Sequence, residues 1–83
     1  MDLIIGTRRI TPDAITRTAE GVEAVLHGEA LLRLLDAAFH GAGSIELLGG
    51  DLDRRPMEVT GIAMRGRDTC VTLACAGRVL RLN

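Results

Sequence analysis

Eighty-three residues carry eleven acids against ten arginines, a net charge of −1, and a single aromatic, Phe39. That length suits one domain, 1–83, whose modest core must be built from Leu, Ile, Val, Ala and Met. The near-neutral balance argues against a dedicated nucleic-acid or membrane-surface binder, whose footprint is usually net basic. No apolar run approaches the length of a membrane span.

Every basic residue is arginine and lysine is absent, which reads as a GC-rich coding genome and hence a bacterial or phage origin. Asp2 follows Met1 directly and no basic stretch leads into an apolar run, so no signal peptide is expected and the expected location is cytoplasmic. Cys70 and Cys75 are the only cysteines. Five apart, they fall on opposite faces of one straight strand, which disfavours a disulfide between them and leaves two free thiols.

In chain order, Leu3, Ile4 and Ile5 form a short apolar run closed by Gly6, as a buried or edge strand does. A turn over Gly6 to Arg9 leads to a second extended piece at Ile10 and Thr11, ended by Pro12. The stretch 13–27 admits two readings. Ile15, Ala19, Val22 and Leu26 keep helical spacing, but Thr16, Thr18, Val22 and Val25 are β-branched, and Gly21 in mid-helix costs roughly 1 kcal/mol relative to Ala. The hairpin is preferred, with strands over 15–19 and 22–26 around Glu20-Gly21. A left-handed Gly21 in a bulged turn sets Arg17 opposite Glu23, a two-residue turn sets Ile15 opposite Leu26, and the sequence does not choose.

The strongest element is a helix over about 29–40. Leu31, Leu32, Leu34, Leu35, Ala38 and Phe39 form one broad apolar stripe, expected to be the face that meets the core. Glu29, Arg33, Asp36 and His40 take the other side, with Glu29 and Arg33 at a favourable i,i+4 spacing. Gly41 stands where a left-handed C-cap falls. Beyond it, Ser44 to Leu48 reads as a strand with Ile45 and Leu47 inward, and 49–56 (GGDLDRRP) as a loop. Met57 to Met64 is a further strand with a bulge at Gly61, where the apolar parity changes. Thr69 to Cys75 and Arg78 to Leu82 are expected to form a hairpin about Ala76-Gly77, with Leu73 facing Leu80 and Ala74 and Val79 on the outer face. The order of elements predicts an α+β fold: an antiparallel, strongly twisted sheet or partly closed barrel with one central amphipathic helix packed on it.

No pattern signals catalysis. Ser44, the only serine, lacks a nucleophile elbow, and the glycines match neither a phosphate-binding loop nor a dinucleotide fingerprint. His27, His40, Cys70 and Cys75 hold zinc-binding atoms at spacings unlike any familiar knuckle, with four residues between the cysteines and twelve between the histidines. Asp51 and Asp53 lack the further carboxylates of a calcium loop, and Arg54 and Arg55 compete for them. No catalytic residue, metal or other cofactor is therefore assigned.

The arginines cluster at turns and strand ends, where several could converge on an acidic or phosphate-bearing partner, yet no aromatic platform accompanies them. The expected function is thus a small non-enzymatic protein-interaction module, such as an accessory subunit or a phage or mobile-element inhibitor. The alternative is an arginine-dependent nucleic-acid binder. A helix of twelve residues is about 18 Å long and roughly 10 to 12 Å wide, whereas five or six strands span roughly 24 to 29 Å. Apolar sheet is left over for a larger protein or a second copy, most simply in a homodimer. Ala74, Val79 and Arg81 on the last hairpin, with Arg54 and Arg55 in the loop, are the expected contact residues.

Overall fold

Alternating burial at Leu3 and Ile5 makes β1 (Asp2–Ile5) the centre of a three-stranded antiparallel sheet. This is a computed structural model, and it describes residues 1–41 and 43–76. β2 (Arg8–Ile10) pairs on one side of β1, with Leu3 opposite Ile10. β5 (Ile45–Leu48) pairs on the other, with Leu3 opposite Leu47 and Ile5 opposite Ile45. A second, four-stranded antiparallel sheet has the order β3 (Ala14–Arg17), β4 (Gly21–Leu26), β7 (Asp68–Cys75), β6 (Met57–Arg65). The helix α1 (Gly28–His40) joins the two sheets in sequence. The fold is α+β, and the described strands divide into two sheets without closing a barrel.

The sheets meet where the 49–56 segment folds back on β5. Arg54 N–H donates to Leu47 O at 2.6 Å, Leu47 N–H donates to Arg55 O at 3.2 Å, and Glu46 bridges to Pro56. Leu52 in the same segment is buried, so this turn-rich loop also plugs the core. Arg54 holds a left-handed φ of 66° there, a conformation that costs a non-glycine residue roughly 1–2 kcal/mol. The closing hydrogen bonds offset it.

The hairpin of β3 and β4 adopts neither register weighed from sequence. Arg17 lies opposite Val22, Thr16 opposite Glu23 and Ile15 opposite Ala24. The connection is wider because Thr18 N–H donates to Gly21 O and Gly21 N–H donates to the Thr18 hydroxyl. Gly21 is required for a different reason than a left-handed turn. It pairs with Ala74 on β7, and a Cβ at this position would overlap the Leu73 carbonyl oxygen.

The helix forms where its periodicity predicts and ends as predicted, with Gly41 at φ 64° donating its N–H to Asp36 O. It buries less than its stripe implies. Leu34 and Ala37 are buried and Ala30, Leu31 and Ala38 pack partly against the core, but Leu32 and Phe39 are 63% and 62% exposed. Phe39 is therefore not a core residue. The helix turns its Leu34–Ala37 edge to the core, and Leu32 and Phe39, seven apart, share a flank that no described residue covers.

On β6 the register shifts between Val59 and Gly61, as the change of parity at Gly61 predicts. The extra residue keeps Met57, Val59, Ile62 and Met64 on one face, opposite Cys75, Leu73, Val71 and Thr69 respectively. Both edges of β7 are taken along Thr69–Ala74, by β4 and β6. The strand expected at 78–82 lies outside the described residues.

Candidate interaction surface

Among the described residues five large apolar side chains are exposed: Met1 at the start of the chain, Leu32 and Phe39 on the helix, and Ile62 and Met64 on the outer half of β6. Ile62 and Met64 are 44% and 80% exposed although they share the face of buried Val71 and Thr69. The helix leaves β4 at Leu26, in the row of Thr69 and Met64, and returns so that Phe39 borders a hollow of about 320 Å³ with Met57, Glu58 and Val59. The C-terminal end of the helix thus meets the Met57 end of β6, and the outer half of that strand is left exposed at Ile62 and Met64. The helix pair and the β6 pair together present on the order of 500 Å² of apolar surface.

Electrostatics around the molecule are mostly local. Arg9 pairs with Asp2 at 2.5 Å, Arg17 with Asp51 at 3.1 Å, Arg33 with Glu29 at 3.1 Å and Arg54 with Glu46 at 3.5 Å. The hydrogen bond from Arg17 holds the Asp51 carboxyl below its ordinary range, and Arg9 does the same for Asp2. These arginines are spread over both sheets and the helix instead of converging. Arg17 and Arg55 do line one shallow rim with Glu20 and Cys75.

The residues singled out from sequence scatter accordingly. Ala74 lies on β7 between Gly21 and Glu58 and is only 6% exposed, so an inner strand position leaves it little surface to offer a partner. Arg54 and Arg55 are exposed in the loop joining the sheets, with Arg54 engaged by Glu46. Val79 and Arg81 lie outside the described residues. The two histidines occupy opposite ends of α1, His27 against Asp13 and His40 against Asp36. Cys70 and Cys75 are free and stand on opposite faces of β7, and burial raises the Cys70 thiol pKa. Among the described residues no three His, Cys, Asp or Glu side chains are placed to hold a metal, and no helix is long and apolar enough to cross a membrane.

Reading by pattern missed Ile62, Met64, Leu32 and Phe39, because each sits on a face that is apolar in sequence. A signal was present in β6 itself: between Glu58 and Arg65 this strand carries no charge, and it lies at the sheet's edge. No protein-family model, curated protein or solved structure matches the chain.

Proposed function

We propose that the chain is a small non-catalytic module that works by binding another protein, as an accessory subunit or a phage or mobile-element inhibitor would. One observation carries this reading: Leu32 and Phe39 on the helix and Ile62 and Met64 on β6 are exposed while Leu3, Leu26, Leu34 and Leu73 are fully buried. An 83-residue chain has little apolar material to spare, so leaving this much outside the core favours a surface used in association. Nucleic-acid binding is less well supported, because four arginines are already held by carboxylates in separate places.

Affinity capture from bacterial lysate tests it, comparing the wild-type chain with a Leu32→Glu/Phe39→Arg variant. Both substitutions lie at exposed positions and should leave the fold intact by circular dichroism. A specific protein should be retained by the wild type at high salt and lost with the variant, since an apolar contact responds little to ionic strength. Capture of nucleic acid that falls steeply with salt would favour the alternative instead.

A further inference from the structure

The outer half of β6 is an edge that lacks the usual protection. Natural edge strands are kept short, charged or bulged so that they do not pair with another chain. β2, at one edge, has three residues, two of them Arg8 and Arg9, and β3 has four and ends in Arg17. β6 is the longest strand, with nine residues. Its start is anchored, because Pro56 just before it bridges to Glu46 of the neighbouring sheet. Past the register shift, Gly61 to Met64 carries no charge, and among the described residues nothing pairs with its outer side.

We infer that this edge pairs with the same edge of a second copy, antiparallel and about a two-fold axis at Ala63. The occupant follows from the sequence of the segment. In an antiparallel ladder, residues directly opposite each other share a face. Centring the axis on Ala63 sets Ile62 opposite Met64 of the copy, twice, and Gly61 opposite Arg65. The exposed apolar pair is thus its own complement, as an isologous contact requires. Centres at Ile62 or Met64 are poorer, because they bring the bulge or the Gly66-Arg67 turn into the ladder. Ala63 at the axis uses the whole regular run from Gly61 to Arg65 and joins two four-stranded sheets into one of eight strands.

The same axis leaves the two Ile–Met pairs on one face of the joined sheet, the face that Val71 and Thr69 share. A stable dimer buries about 800 Å² per partner. Exposed Ile62 and Met64 supply on the order of 250 Å² of this, and the paired main chain of Gly61–Arg65 adds to it, which fits a weak, reversible dimer.

This inference rests on the interaction reading above but can fail without it. Sedimentation equilibrium of the full chain, from about 1 µM to about 1 mM, should show a reversible dimer. Ile62→Lys and Met64→Glu should each weaken it by about a hundredfold or more, because each places two unpaired charges in the contact. Circular dichroism and the thermal midpoint should stay close to wild type for Met64→Glu, whose side chain is already in water. Mixing the two single variants is the decisive arm. The introduced lysine then lies opposite the introduced glutamate, and a heterodimer should form that neither variant forms alone.

A wild-type monomer over the whole range overturns the pairing, and so does a dimer indifferent to both substitutions. A mixture that stays monomeric after each variant alone has lost the dimer overturns the Ala63 register. If the chain is monomeric yet captures a protein through Leu32 and Phe39, the interaction reading survives and the self-pairing does not.

Discussion

Met57 and Met64 stand on the same side of the same strand, yet Met57 is only 5% exposed and Met64 is the most exposed large apolar residue described. The helix shows the same contrast within one turn, between buried Leu34 and exposed Leu32. Hydrophobic periodicity decides which face a residue takes, but burial depends on whether another element lies across it. At the Met57 end, Ala37, Ala38, Ile45 and the 49–56 segment close over the sheet. At the Met64 end nothing described does so. One strand therefore belongs to the core at its start and to the surface at its finish.

The largest effect expected from this contrast is on the helix. Leu34→Ala removes a fully buried side chain from the centre of the core and should cost about 2–5 kcal/mol, read as a fall in the urea midpoint at unchanged slope. Leu32→Ala, two residues away, should stay within about 0.5 kcal/mol. Equal losses would mean that the helix turns a different edge inward and that the uncovered flank is not a surface at all.

Next in size is Gly21→Ala, which probes the closed half alone. The added methyl collides with the Leu73 carbonyl, a backbone atom of the central strand, so β4 and β7 must move apart. Overpacking of this kind costs typically about 1–3 kcal/mol. Gly61→Ala makes the useful partner, since a Cβ there meets only ordinary contacts with Thr72. Thermal denaturation should separate the two glycines clearly. A harmless Gly21→Ala would show that the contact between β4 and β7 is looser than its register implies.

The sequence made much of this fold legible because most elements are set locally. The helix limits, its Gly41 cap, the inward Ile45 and Leu47, and the bulge at Gly61 all follow from spacing or a single special residue. Hairpin register was not legible at 13–26, because Thr18 hydroxyl and backbone bonds build a wider turn than Glu20-Gly21 suggests. Nor was coverage, which depends on elements distant in sequence: Leu32 and Leu34 are the same residue type in the same stripe, and only the arrangement of sheets separates them. The exposed flank was anticipated from the width of one helix against several strands, but its residues were sought on β7, where Ala74 is enclosed by strands on both sides. Position within the sheet decides this, and strand order cannot be read from a strand's own sequence.

The smallest expected effect lies at the hinge between the closed and open regions, where β4 passes into α1. His27 occupies the N-cap position with no side-chain cap, and its Nδ1 lies 2.5 Å from Asp13 Oδ2. Asp68 and Arg67 border the same recess, and Glu29 opens the helix beside it. A protonated imidazole at a helix N-terminus opposes the helix dipole, but the hydrogen bond and charge of Asp13, helped by Asp68, raise the His27 pKa above its ordinary value. A group whose pKa is raised by folding contributes stability in its protonated form. That contribution should be fully present below about pH 6.5 and lost as pH rises through the folded-state value. Both side chains are exposed, so the effect should be a shallow decline in the urea midpoint between about pH 6 and pH 8. It should flatten in both His27→Gln and Asp13→Asn. A decline that persists in Asp13→Asn would assign the titration to another contact, and one that persists in His27→Gln would assign it to another group.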